Sequence, residues 1–304
     1  MNGGSAPTPW SNVLRWLADL IQPSTRPTDA VSPPLVVSVR RLGAKFALAL
    51  QLDQVEAVGI DMIHSAVNEL LSMHVLPQAA CLSVAGREEG GFAEDVVAGV
   101  ARACRAHDLP ITVQLATVSA DEQVGITVSG IALESPPLVP QPGDVVLALR
   151  GTGPVDGDSM FLGAFAAEHG IPIERSLDNG DSVGRTLTAA RASHASVMHR
   201  PIRDRWPFRA IAIDEGSLLE RVRSSLPAGL DVEFDLSTLR PPAPFEEWFP
   251  GARRMDAANA CAVGHDFVLF VRAADARRFE SLFAAWNEPA ARLGIVVAQA
   301  KTSH

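Results

Sequence analysis

Residues 36–71, VVSVRRLGAKFALALQLDQVEAVGIDMIHSAVNELL, decide how the rest of the chain is read. Leu35 to Val39 has the β-branched, apolar character of a strand, and Arg40-Arg41-Leu42-Gly43-Ala44-Lys45 is a basic turn. Phe46 to Leu52 then reads as a second strand and Val55 to Ile60 as a third. Ile63 to Met73 reads as a helix with Ile63, Ala66, Val67, Leu70 and Leu71 on one face. Asp61 closes the apolar run, and Asn68 and Glu69 follow it at helical spacing. An acid after a strand, with an amide and a second acid on the helix behind it, is one way to hold phosphate oxygens through a metal. The alternative is an Asp61 that caps the helix, with Asn68 and Glu69 in solvent; on spacing alone that arrangement is the commoner one. His64 lies one turn after Asp61 and is a candidate acid or base, against the more frequent role of a core-edge histidine.

The composition narrows the function classes. With 304 residues the chain has length for two domains with real cores. A formal net charge of -9 argues against nucleic acid as partner, since phosphate neutralisation requires clustered Lys and Arg. No apolar run reaches membrane-spanning length, and the N-terminal residues lack the basic-then-apolar pattern of a signal peptide. Cys81, Cys104 and Cys261 are far apart and set among apolar residues, as small hydrophobes are in a reducing compartment, so the expectation is a cytoplasmic protein.

Outward from that stretch, residues 1–34 are rich in Pro, Ser, Gly and Thr and form an arm. It carries one short amphipathic piece, from Asn12 to Ile21, and Trp10 and Trp16, which favour docking on the body or on a partner subunit. Ala79 to Ala85 reads as a strand, 86–91 as a loop, Phe92 to His107 as a helix, and Pro110 to Thr117 and Val124 to Leu133 as strands, the last with clear alternation. Pro136, Pro137, Pro140 and Pro142 mark a linker. The expected division is therefore an arm over 1–34, a first domain over 35–138 and a second over 139–304. The second half opens with the buried strand Asp144 to Leu149 and a Gly151-Thr152-Gly153 turn. A glycine turn of this kind can cradle an anion, though turns need glycine for steric reasons alone. Helices are expected over Met160 to His169, Ser182 to Met198, Ser217 to Ser225 and Ala273 to Trp286, with one starting at Phe245 to Phe249. Strands are expected over Arg209 to Ile213, Val232 to Leu236, Phe267 to Val271 and Ile295 to Ala298. Strands and helices mix without strict alternation, which is the α+β class.

The order of pieces resembles the aminoimidazole ribonucleotide synthetase (PurM) family and its superfamily, which includes thiamine-monophosphate kinase, HypE and selenophosphate synthetase. GIDMIHSAVNELLSMHVLPQAACLSVA carries the strongest likeness. FAEDVVAGVARACRAHDLP, PGDVVLALRGTGP, RAIAIDEGSLLERVRSSLP and MDAANACAVGHDFVLFV follow in the same order, so the resemblance spans roughly Leu35 to Ala298. It implies a two-domain subunit whose first domains pair as a homodimer around a shared β-barrel-like core. It also implies ATP in a cleft, with Mg2+ on carboxylates, and an oxygen activated by phosphorylation before cyclisation or dehydration, as in a biosynthetic ligase.

Carried over residue by residue, the resemblance assigns Lys45 and Gly43 to the family's phosphate loop and matches Asp61, as metal ligand, and Asn68. Arg191 matches a further phosphate-side residue, and Glu69 stands where the family has an aspartate. Arg40 and Arg41 stand where the loop has its metal-binding aspartate and first glycine. Asp121 and Glu122 are the acids nearest a family acidic segment, Asp214-Glu215-Gly216-Ser217 replaces a triple glycine, and Ala257 and Ala260 replace an Arg and an Asn. Two readings follow. In the first, a diverged ATP-dependent enzyme acts on a small nitrogenous or phosphorylated metabolite, with Arg40, Arg41 and Lys45 on phosphate, Asn68 and Arg191 beside them, and His64 and Glu69 in catalysis. In the second, a catalytically dead paralogue serves as a dimeric binding or scaffold protein.

Overall fold

A computed structural model describes residues 34–86, 92–117, 123–133, 137–168, 170–214, 217–235, 237, 264–288 and 290–299. The arm over 1–33, most of the 86–91 loop and the expected helix at Phe245 to Phe249 lie outside the described residues. The fold is mixed α+β with two sheets. The first is four-stranded, in the order β1 (Leu35–Arg41), β4 (Gln123–Ala132), β2 (Val75–Gly86), β3 (Ile111–Thr117). β2 and β3 run parallel because helix α3 (Ala93–Ala106) carries the chain across between them; the other pairs are antiparallel. Along β4 the inward Val124, Ile126 and Val128 alternate with half-exposed residues, as the sequence pattern predicts.

The second sheet is antiparallel throughout, in the order β6 (Phe208–Ala212), β8 (His265–Val271), β5 (Val145–Arg150), β9 (Ala291–Ala298), β7 (Leu230–Phe234). Its central strands are buried on both faces, which is why β5 and β8 read as continuous apolar runs. One face, with Leu147, Leu149, Phe267 and Leu269, shares a core with the first sheet. The other, with Val146, Val268 and Phe270, packs with Leu218, Leu219 and Val222 of helix α7 (Leu218–Ser224).

Between the sheets lies helix α2 (Val55–Ser72), which is buried on nearly every side. It packs on the first sheet, on α3, on β6 and on helix α6 (Ala195–Arg203). The crossing with α3 is very close: a Cβ on Gly59 would lie 2.2 Å from the Val96 carbonyl oxygen, and one on Gly99 would lie 2.0 Å from that of Glu56. Glycine is required at both positions to let the two backbones touch.

Three expectations need correction. Phe46 to Leu52 is not a strand but part of helix α1 (Ala44–Gln51); the Phe-Ala-Leu-Ala-Leu alternation imitates a strand, yet Ala, Lys, Leu and Gln are strong helix formers. The buried positions are Lys45 and Ala49, four apart. Val55 to Ile60 is not a strand but the first turns of α2, where burial on all sides overrides the β-branched preference. Asp61 therefore sits in mid-helix, neither behind a strand nor at a cap. Finally, Ser182 to Met198 is two helices, α5 (Val183–Thr188) and α6, separated by a non-helical stretch over 189–194. The remaining helices are α4 (Asp156–Glu168) and α8 (Ala273–Ala285). Among the described residues no helix is long and apolar enough to cross a membrane.

The α2–α3 crossing yields a direct test. Gly99→Ala should destabilise the protein by about 1–3 kcal/mol, because rigid backbone must move apart to admit the methyl group. Urea unfolding would show this as a lowered midpoint with unchanged slope; an unaltered midpoint would mean the helices are not in this contact.

Candidate functional site

The break between α5 and α6 has a physical origin in α2. A helix interior satisfies its own backbone; a stretch outside helix and sheet must find partners elsewhere. Asp61, His64 and Asn68 supply them from one side of α2. Asp61 Oδ1 accepts from the Arg191 backbone N–H at 2.7 Å, and His64 Nδ1 donates to the Arg191 carbonyl at 2.7 Å. Asn68 donates to the Ala192 carbonyl at 2.9 Å and accepts from the His194 N–H at 3.0 Å. Lys45, from α1, donates to the Ala189 carbonyl at 2.9 Å. The 189–194 backbone is thereby fastened along α2.

The same helix organises charge. Lys45 Nζ lies 3.1 Å from Asp61 Oδ1, and the Lys45 side chain is only 1% exposed. Arg191 places Nε 3.2 Å from Oδ1 and Nη2 3.2 Å from Oδ2 of the same carboxylate, and reaches Asp214 Oδ1 with Nη1 at 2.7 Å. Burial alone would push the Asp61 carboxyl upward, but Arg191 and Lys45 hold it well below the usual carboxylate range. Asp61 is therefore the anion that lets two cations be buried. A lysine in the first turn of a helix is also disfavoured by the helix dipole, which Asp61 offsets. Removing one member of such a cluster costs about 3–5 kcal/mol, because the remaining charge stays buried.

Arg40 is held at the edge of the cluster. Its Nε donates to Ser65 Oγ at 2.7 Å, Nη2 to Asp214 Oδ2 at 2.9 Å, and Nη1 lies 3.0 Å from Glu69 Oε2. Ser38 donates to Glu69, and Ser65 to Asp214 at 2.9 Å. These groups border a cavity of about 210 Å³ lined among others by Arg40, Arg41, Gly43, Lys45, Asp61 and Arg191. Among the described lining residues, four cations face two carboxylates.

Of the residues singled out from sequence, Arg40, Arg41, Gly43, Lys45, Asp61 and Arg191 meet at this cavity, while His64, Asn68 and Glu69 are not among its lining residues. His64 is turned to the Arg191 carbonyl. Because a carbonyl can only accept, Nδ1 carries the proton, and burial pushes the ring pKa below its ordinary value. Glu69 stands behind Arg40. Ser38, Ser65 and the Ala189 carbonyl were not foreseen; nothing in local spacing marks them, because their partners lie 31, 149 and 144 residues away.

A second charged cluster closes the other end of the 189–194 stretch. His194 is fully buried, with Nε2 2.7 Å from Asp266 Oδ1 and Nδ1 3.2 Å from Glu288 Oε2. Burial opposes its charge, but Asp266 and Glu288 raise its pKa to about 9.

No protein-family model matches the chain. It is 26% identical over 281 residues to the phosphoribosylformylglycinamidine cyclo-ligase of Exiguobacterium sibiricum, a match that covers 88% of this chain and 81% of that protein. The thiamine-monophosphate kinase of Stenotrophomonas maltophilia superposes with a TM-score of 0.69 at 15% identity, covering 96% of this chain and 93% of that one. The hydrogenase maturation protein HypE, in a crystal structure with ATP, superposes with a TM-score of 0.62 at 17% identity, covering 98% and 88%.

The chain is similar over most of its length to members of the PurM superfamily and shares their fold. The Mg2+ that this similarity implies does not fit the described residues of this chain. Both Asp61 oxygens and both Asp214 oxygens already accept from Lys45, Arg191, Arg40 or Ser65, and Arg40 occupies the cavity wall. Magnesium needs several unengaged oxygens in octahedral array, and among the described residues no group of three or more His, Cys, Asp or Glu side chains converges to hold a metal. Asp121 and Glu122 lie outside the described residues.

The buried histidines set a pH dependence. His194 is raised to about 9, so its contribution is complete below its ordinary value of 6.5 and is lost as pH climbs through 9. Burial lowers His107 and His265 to about 4, so their contribution is present above 6.5 and is lost as pH falls through 4. Melting temperature should therefore peak near pH 6.5, and His194→Gln should flatten the alkaline limb while leaving the acid limb. An unchanged alkaline slope in the variant would show that His194 does not carry the charge.

Proposed function

We propose that this chain is a PurM-like enzyme that uses ATP to activate a carbonyl or amide oxygen of a small nitrogenous or phosphorylated metabolite, ahead of cyclisation or dehydration. The observation that carries this reading is the cation-lined cavity beside the buried Lys45–Asp61–Arg191 cluster. Support comes from the relative named as a cyclo-ligase and from the ATP held by the HypE neighbour. At about 210 Å³ the cavity is smaller than the roughly 300–1,000 Å³ of sites that enclose a whole small molecule, so it suits the phosphoryl end of a ligand.

ATP supplies the phosphoryl group that turns the substrate oxygen into a leaving group. The protein's share of such a transfer is positioning and charge neutralisation. Arg40 and Arg41 neutralise at the end of β1, and Lys45 and Arg191 set the positive field from within. Gly43, at the N-cap of α1, leaves room at that wall because it has no side chain. Asp61 and Asn68 position: the first fixes both inner cations, the second holds the 189–194 backbone that carries Arg191. His64 is neutral with its proton on Nδ1, which leaves Nε2 as the nitrogen able to take a proton.

One observation favours the reading as a dead paralogue: Lys45 and Arg191 are matched by Asp61 inside the fold, as in a purely structural ion cluster. Calorimetry with ATP, followed by an assay for ADP release with amide- and phosphate-bearing metabolites, separates the two. The enzyme reading expects ATP binding, lost in Lys45→Met, and ADP release with some member of the panel. Binding without release across the panel leaves the binding paralogue, and no binding ends the ATP reading.

The homodimer belongs to the same proposal. On β1, an edge strand, Leu35, Val37 and Val39 are 68%, 52% and 54% exposed on one face, an apolar stripe that a second copy would cover. Light scattering should give twice the chain mass, and Val37→Asp with Val39→Asp should halve it without loss of fold. A wild-type monomer would exclude this pairing.

A further inference from the structure

We infer that the cavity beside Lys45 is a metal-free oxyanion site, in which the fixed guanidinium of Arg40 serves where a divalent cation would otherwise neutralise phosphate. The inference rests on the reading above of a phosphoryl-binding cavity and adds what neutralises the charge there.

The donor inventory carries it. A guanidinium has five N–H groups. Arg40 engages Ser65 through Nε, Asp214 through Nη2, and Glu69 and the Val39 carbonyl through Nη1, so one N–H on Nη2 has no partner among the described residues. Arg191 engages Asp61 through Nε and Nη2 and Asp214 through Nη1, which leaves one N–H on each Nη without a partner among the described residues. Arg41 lines the cavity from the exposed end of β1, and among the described residues no carboxylate pairs with it. The acceptors show the opposite balance. Asp61 Oδ1 takes three hydrogen bonds and Oδ2 one, and Asp214 takes two on Oδ1 and one on Oδ2. The cavity thus has N–H donors to offer and carboxylates already engaged, the reverse of a cation site.

The charge balance agrees. Four lining cations against two lining carboxylates leave two positive charges, close to the roughly −1.5 to −2 of a phosphate monoester at neutral pH. Counting Glu69, which pairs with Arg40, leaves one. Gly43, at the N-cap of α1, brings no side chain to the cavity wall. Arg40 is well suited to the role because Ser65, Asp214 and Glu69 fix its plane before any ligand arrives, and a fixed fork loses little entropy on binding an oxyanion. The ligand class is a phosphate ester or polyphosphate presented without its metal.

The test is calorimetric titration of the full chain with ATP and, separately, with tripolyphosphate, each in excess EDTA and again in excess magnesium chloride. Both probes should bind in EDTA, no more weakly than in magnesium, since the metal masks phosphate charge. Arg41→Gln should weaken binding roughly tenfold, the worth of one charge-assisted contact, with no change in melting temperature because its side chain is exposed. Arg40→Lys, which keeps the charge and loses the fork, should weaken it without creating a magnesium requirement. Binding that appears only with magnesium would overturn the inference while leaving the phosphoryl-site reading intact. Absence of binding in both buffers would overturn both.

Discussion

The carboxylate of Asp61 is the constraint on which the rest of this structure depends. A lysine and an arginine are buried within about a hydrogen bond's length of it, and neither could stay there without it. Lys45 brings α1 and Arg191 brings the stretch between α5 and α6, so one side chain in the middle of α2 decides where two segments distant in sequence come to rest. Because α2 is itself wedged between the two sheets and locked to α3 at Gly59 and Gly99, the carboxylate has little freedom to follow its partners. Rigidity of the helix therefore becomes rigidity of the cavity wall.

Much of the fold was legible because burial leaves a period in the sequence. The alternation along β4 and the unbroken apolar runs of β5 and β8 state whether one or both faces are covered. The region that misled was the one with both signals at once. Phe46 to Leu50 alternates small and large, and Val55 to Ile60 is β-branched and apolar, yet both are helical because α1 and α2 are packed from several directions and carry no simple polar face. The break at 189–194 could not be read locally either. Nothing in Ala189-Ala190-Arg191-Ala192 forbids a helix; the backbone is held out of one because Asp61, His64, Asn68 and Lys45 bind it from more than a hundred residues away.

For the site, residue types were legible and roles were not. Arg40 and Lys45 were visible in a basic turn, Asp61 at the end of an apolar run, and Arg191 through the resemblance. What the sequence cannot display is that three cations share two carboxylates, Arg40 and Arg191 both on Asp214, Lys45 and Arg191 both on Asp61. That sharing changes the chemistry. A carboxylate after an apolar run looks like a metal ligand until its oxygens are found to be engaged. In the same way the spacing of His64 from Asp61 does not reveal that its Nδ1 is held on the Arg191 carbonyl, so that only Nε2 is left for proton transfer.

Sharing also explains why the site can be positive and still stable. Four unpaired cations around one small cavity would repel at the several-kcal/mol level in a poorly solvated setting. Here three cations share three carboxylates: Lys45 and Arg191 meet on Asp61, Arg191 and Arg40 on Asp214, and Arg40, at the wall, also pairs with Glu69. Among the described residues of the site only Arg41, exposed to solvent, has no carboxylate partner, and water screens it well. The positive charge is thus graded from buried and neutralised to exposed and open, so an oxyanion entering from the Arg41 side meets increasing order rather than increasing repulsion between the groups that receive it. A carboxylate at position 40 instead would lie beside Asp214 and Glu69 with no cation among the three, and the wall would then attract a metal instead of an anion. The sign of one side chain at the end of β1 thus selects between two kinds of ligand on the same scaffold.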